Sequence, residues 1–166
     1  MPYENDFVVL PDGKTIVGSD GTDPKKLMME DITKKNPRQI MTHNKEIGTL
    51  LFDSLTQSLL VGDGNGHVTQ YKKENGSFTM VKEYGNVGVG GVMSHAQVRG
   101  FAIFAGDNRS LIAIDIKNQK LVKRYVETAY EFILSLQVCL TNNHRIFLTV
   151  SGWKPDFSSG KSDIFD

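Results

Sequence analysis

Short apolar runs ending in a glycine turn return along this chain at a nearly fixed distance, and that recurrence restricts the fold more than any other feature. The segments are "KTIVGSDG" at 14–21, "SLLVGDGN" at 58–65, "FAIFAGDN" at 101–108 and "IFLTVSGW" at 146–153. Their anchoring glycines, Gly18, Gly62, Gly106 and Gly152, stand 44, 44 and 46 residues apart. A period of this length marks repeat architectures, in which each unit is one supersecondary motif that buries its apolar face only against its neighbours.

Each unit reads as several short strands. The first opens with "DFVVL", turns through Pro11, Asp12, Gly13 and Lys14, and returns as "TIVGSD", with "LMMED" and "RQIMTH" to follow. Proline fixes φ and glycine permits a left-handed backbone, so the turn is a hairpin signal. The second unit offers "IGTLLFD", "SLLVGD", "HVTQYK" and "SFTMVKEY"; the third "GVMSHAQV", "FAIFAGD", "SLIAIDIK" and "KLVKRYVE". Even the outer strands echo one another, "MVKEY" at 80–84 returning as "LVKRY" at 121–125. Four antiparallel strands per unit predict an all-β fold, a β-propeller of about four blades spanning 6–42, 47–84, 88–127 and 131–166, the last lacking its outer strand. Second strands such as "SLLV" and "FAIF" do not alternate, as expected of strands buried on both faces between blades. Lys82, Glu83, Lys123 and Arg124 put charge on the outer strands, which discourages edge-to-edge pairing.

A chain of 166 residues carries a core without staples, and its 39% hydrophobic content is that of a globular domain. Lys plus Arg equals Asp plus Glu at 19 each, which removes the global positive field of a protein that grips nucleic acid. The single Cys139 excludes an internal disulfide and predicts a reduced, cytoplasmic compartment. No apolar run approaches the ~20 residues of a membrane-spanning helix, so a soluble protein without a membrane partner is expected.

With the blades placed, the chain resembles the WD40 repeat family in a degenerate form. The closest stretch runs from His43 in "HNKEIGTLLFD" through "SLLVGDGNGHVTQYK". In that family a histidine before the first strand, an aspartate in the turn after the second and a Trp-Asp pair ending the third join by hydrogen bonds. The resemblance places His43 at the histidine, Asn65 at the turn aspartate and Tyr71 with Lys72 at the Trp-Asp pair. In the third unit Asn108 falls at the turn position and Ile114 with Asp115 at the pair; in the fourth Phe165 and Asp166 do. No blade keeps the full set, which implies a divergent member with His43, Asn65, Tyr71, Asn108 and Asp115 in structural roles.

Several stretches invite chemical readings. Asp63, Asn65 and Glu74 match positions of a twelve-residue calcium loop, but His67 and Val68 replace the fifth-position ligand and the sixth-position glycine, so a tight turn is the expectation. "GNVGVGGV" at 85–92 lacks the Lys-Ser/Thr of a P-loop and precedes a strand where a helix is required; a connector between blades is expected. Ser94 and His95 lie along one strand and point to opposite faces, without the spacing of a nucleophile elbow. His43, His67, His95 and His144 show no metal-ligand spacing. No metal or cofactor is predicted. Trp153, in the long loop expected after the second strand of the last unit, stands beside Lys154 as a candidate anchor for a partner. Basic clusters at Lys34, Lys35 and Arg38, and at Lys117, Lys120, Lys123 and Arg124, read as solvated faces, with a phosphoryl or acidic-peptide patch as the alternative.

These readings predict a non-catalytic protein-interaction scaffold. Its loop faces, with Asp63, His67, Asp107, Arg109, Trp153 and Lys154, would meet a peptide or protein. The alternatives are a propeller enzyme, a hydrolase or oxidoreductase with residues converging on the central channel, and a small-ligand or sugar-binding propeller. The inner strands "TLLF" and "FILSLQV" offer mainly apolar or small residues to the channel. An open arc leaves apolar blade faces in water. Three arrangements would cover them: a larger propeller of which this chain is a fragment, which the reading favours, pairing with a second copy or another propeller segment, or closure as a small ring.

Overall fold

The computed structural model describes residues 6–86, 91–106, 110–126, 132–140, 146–153 and 162–165. Every regular element among them is a strand. Blade 1 consists of β1 (Phe7–Val9), β2 (Thr15–Ser19), β3 (Lys26–Asp31) and β4 (Arg38–Thr42). Blade 2 holds β5 (Ile47–Asp53), β6 (Ser58–Asp63), β7 (His67–Glu74) and β8 (Ser77–Asn86); blade 3 holds β9 (Val92–Val98), β10 (Phe101–Gly106), β11 (Ser110–Asp115) and β12 (Lys120–Val126). The fourth sheet is β13 (Phe132–Leu140), β14 (Ile146–Trp153) and β15 (Ser162–Phe165). Each sheet runs in chain order with antiparallel neighbours, the pattern of stacked meanders.

The first strands β1, β5, β9 and β13 lie side by side along one seam, so they are the innermost strands. Second strands pack between blades. Every residue of β6 is buried, which is why "SLLVGD" does not alternate. Successive leucines serve two seams: Leu50 and Leu59 join Val17, Leu27 and Met29 of blade 1, while Leu51 and Leu60 join Phe104, Ile112 and Ile114 of blade 3. Leu111 and Ala105 meet Leu136 across the next seam.

The glycine period has a physical cause. Gly62 lies opposite Thr49, next to a β-bulge whose extra residue is Gly48. A β-carbon on Gly62 would stand 2.6 Å from Val92 Cγ1, and one on Gly48 would run into the Val92 carbonyl oxygen, so blade 3 seats directly on blade 2 backbone. Gly106 and Gly152 sit beside bulges at the matching place on β9 and β13. A second bulge recurs on the outer strands, where Ile40, Val81 and Val122 are the extra residues at 41-residue steps. Bulges increase twist and spoil a flat edge, which complements the charged residues there.

Blade 1 turns one face to blade 2 and the other away from it. Val8 and Val17 face blade 2, whereas Phe7, Val9, Ile16 and Met28 share the opposite face by register. Phe7 and Val9 are 54% and 53% exposed there.

Candidate functional site

The β6–β7 turn carries the densest set of polar contacts. Oδ1 of Asp63 accepts from the backbone N–H of Asn65 (2.8 Å) and of His67 (2.9 Å), and Gly66 donates its N–H to the Asp63 carbonyl (3.1 Å) with φ at 80°. Both carboxylate oxygens are occupied, since Oδ2 lies 3.3 Å from Nε2 of His43. Nδ1 of the same ring lies 3.2 Å from the Tyr71 hydroxyl. A carboxylate only accepts, so in the neutral ring Nε2 carries the proton and Nδ1 accepts from the tyrosine.

This geometry corrects two expectations. The carboxylate facing His43 belongs to Asp63 and not to Asn65, because Asn65 sits at the tip of the turn while Asp63 ends β6 and faces inward. For the same reason Asp63, 1% exposed, is no surface contact residue. His67 does reach the surface, with Nδ1 3.9 Å from Glu83 on the neighbouring β8.

Beside these groups opens a cleft of about 380 Å3, bounded by His43, Lys45, His67, Tyr71, Met80 and Glu83. Met80 is 57% exposed on its rim. The Tyr71–His43–Asp63 chain has the order of hydroxyl, imidazole and carboxylate found at activated nucleophiles. Burial, then the Glu83 and Asp63 carboxylates, push the Tyr71 hydroxyl above its ordinary 10.0.

A second polar cluster lies on the inner strands. Thr49 of β5 donates to Oδ2 of Asp6 at 2.8 Å, the Leu50 N–H donates to the same oxygen at 2.7 Å, and Nδ1 of His95 on β9 lies 2.6 Å from the Thr49 hydroxyl. Three consecutive blades thus meet at one hydroxyl, a convergence that the apolar look of "TLLF" concealed. Its signal was spacing: Asp6, Thr49 and His95 stand 43 and 46 residues apart, close to the repeat period. Both the hydroxyl and the carboxylate approach the same imidazole nitrogen, the latter at 3.8 Å, so the ring cannot pass a proton from one to the other through its two nitrogens. Burial lowers the His95 pKa from 6.5, with Asp6 pulling it upward.

The remaining sites fall as follows. Asp115 ends β11 and accepts from the N–H and side-chain amide of Asn118, closing its own turn. Trp153 is the last residue of β14, opposite Phe132, and not part of a loop; the strand runs on because both partners continue the antiparallel register. Asp107, Asn108, Arg109 and Lys154 lie outside the described residues. Among the described residues no three His, Cys, Asp or Glu side chains gather as metal ligands, and no helix is long and apolar enough to cross a membrane.

No protein-family model matches the sequence, and none of the curated proteins matches it. Solved structures do. The structure of U3-55K matches with a TM-score of 0.69 at 14% identity, over 97% of this chain and 51% of that one. The WD40 repeats of RRP9 match at 0.68 and 14%, over 97% and 50%. The fold is that of a divergent WD40-like propeller. The computationally designed Ika4 protein, a designed propeller, matches at 0.68 and 13% identity over 97% of this chain and 89% of its own. The chain therefore spans about half the length of the WD40 structures it matches and most of a designed one.

Proposed function

We propose that the chain is a non-catalytic interaction scaffold that presents a loop face to a protein or peptide. The observation that carries this reading is the cleft beside the β6–β7 turn. It joins a solvent-exposed methionine to a ring of hydrogen-bonding groups on a backbone already fixed by the Asp63 and His43 bonds. A rigid frame with an exposed apolar anchor binds at small entropic cost. The channel cluster supports binding over catalysis, since its imidazole presents one nitrogen to both the hydroxyl and the carboxylate and is not placed to relay a proton between them.

The reading is tested by affinity capture with quantitative mass spectrometry from a native extract. A partner should be retained by wild type and by Leu55→Asp, which changes an exposed leucine outside the cleft, and lost with Met80→Asp and His67→Ala. A captured set that ignores the two cleft variants would contradict it.

A second partner is another propeller segment or a second copy of the chain. The support is the apolar face of blade 1 turned away from blade 2, with Phe7 and Val9 in water, together with the half-length match to WD40 structures. In a closed ring that face is covered by a blade.

A further inference from the structure

At the opposite end of the blades from the His43 cleft, the β3–β4 turn of blade 1 meets the β7–β8 hairpin of blade 2 around a pocket of about 250 Å3. Lys34 and Arg38 enter from blade 1 and Lys73 from blade 2, with Asp31, Asn36 and Gly76 completing the wall. The sequence marks Lys34, Lys35 and Arg38 as a basic cluster; the fold adds Lys73, 35 residues beyond Arg38, by pairing the two blades.

One side-chain bond spans the two walls of the pocket. Nη2 of Arg38 donates to the Gly76 carbonyl at 3.1 Å, which holds the guanidinium across the seam. That bond takes one of five N–H donors. The Lys73 N–H donates to the Gln57 carbonyl at 2.8 Å, and Gly76 turns the hairpin with φ at 80°.

The charge is unbalanced. Lys14, Lys34, Arg38 and Lys73 act here against two carboxylates, those of Asp12 and Asp31. Both oxygens of Asp12 are occupied by its own turn, through the Thr15 hydroxyl and the N–H groups of Lys14 and Thr15, whereas Asp31 accepts from the Thr33 hydroxyl and N–H at Oδ1 and turns Oδ2 toward Lys34. Lys34 reaches Asp31 only at 3.6 Å and is 69% exposed. Two positive charges remain in excess around a concave site, as a dianion requires.

We propose that this seam pocket binds a phosphoryl group carried by a partner molecule, with Arg38 as the fork and Lys73 and Lys34 as flanking cations. A phosphomonoester has the matching charge and takes parallel N–H bonds from a guanidinium; a single carboxylate would leave one cation unmatched. This binding goes beyond the scaffold reading and stands at the other end of the blades, so its failure leaves the His43 cleft untouched, and the reverse holds too.

The test is NMR titration of the 15N-labelled chain at constant ionic strength. The probes are inorganic phosphate, glycerol 3-phosphate and a short phosphoserine peptide, with sodium chloride as control. Saturable shifts confined to the amides of 34–38 and 73–76 are expected. Arg38→Gln and Lys73→Gln should each weaken the affinity about ten-fold or more, and Arg38→Lys less. Tighter binding of the peptide assigns a phosphorylated protein segment as bearer; tighter binding of glycerol 3-phosphate assigns a small ester. Because Arg38→Gln also removes the bond to Gly76, Lys73→Gln and Lys34→Gln carry the test if that variant unfolds. Shifts that track ionic strength alone, that extend equally to Lys117 and Lys120, or that survive both Lys73→Gln and Arg38→Gln would overturn the proposal.

Discussion

Replacing Gly48 by alanine tests the seam between blades 2 and 3. Gly48 is the extra residue of the β5 bulge, and its β-carbon would run into the carbonyl oxygen of Val92. That oxygen belongs to backbone; Val92 is buried and its Cα is paired opposite Gly106, so no side-chain rotation relieves the clash. The blades must separate by roughly an ångström, and a gap of that size forfeits about a quarter to a half of each dispersion contact it opens. Such overpacking costs about 1–3 kcal/mol, occasionally more. The seam holds Phe104 and three buried isoleucines, so the upper part of that range applies. The smaller unfolded-state entropy of alanine offsets ~0.4–1 kcal/mol, leaving a net loss of about 2 kcal/mol. Urea unfolding followed by circular dichroism reads it as a midpoint lowered by about 1 M at unchanged slope. Gly64→Ala is the control, because its β-carbon would meet only the Glu46 carbonyl oxygen at 3.9 Å. It should move the midpoint by less than ~0.5 kcal/mol equivalent. Equal midpoints for the Gly48 and Gly64 variants would refute the close approach of the blades.

Phe104→Ala, at a fully buried position of the same seam, should cost about 3–5 kcal/mol by urea unfolding; a loss below ~1 kcal/mol would place Phe104 outside the core. Asp63→Ala strips acceptors from the Asn65 and His67 N–H groups and from His43, and should cost about 2–4 kcal/mol; a loss below ~1 kcal/mol in thermal melts would remove Asp63 from that role. The pH dependence follows from His95. Its folded pKa lies below the ordinary 6.5, so the unfolded chain binds the proton more readily, and stability should fall as pH drops below 6.5. Asp6 opposes the shift, with Thr49 and the Phe104 ring as the other groups at the imidazole. Denaturation midpoints between pH 7.5 and 5 should therefore decline more steeply in wild type than in His95→Gln, and parallel curves would remove His95 as the cause.

What the sequence made legible was whatever repeats. The glycines at 18, 62, 106 and 152 mark the repeat, and at Gly62 the close seat of Val92 leaves no room for a β-carbon, while the 41-residue echo of "MVKEY" in "LVKRY" marks the outer-strand bulges at Val81 and Val122. What stayed hidden depends on side-chain direction within a turn or on contacts between blades. Asp63 and Asn65 are both short and polar; only the backbone path decides that the first turns toward His43. Thr49 and His95 look ordinary on their own strands and become a cluster when the inner strands align with Asp6. The pocket at Arg38 was half visible as a basic run, yet Lys73 enters it only because two blades share a seam. Trp153 read as loop because the segment after it is rich in serine and proline, while the strand before it extends to the tryptophan itself.

The blades form a propeller fold, and we propose that the outward face of blade 1 pairs with another propeller segment or a second copy. Light scattering across a concentration series, with a hydrophobic dye on the same samples, addresses it directly. A mass above the 18.5 kDa of the single chain that rises with concentration, or dye binding, is expected, and Phe7→Asp with Val9→Asp should abolish it. A dye-silent species of 18.5 kDa at every concentration would contradict it and show the face of Phe7 and Val9 to be covered within one chain.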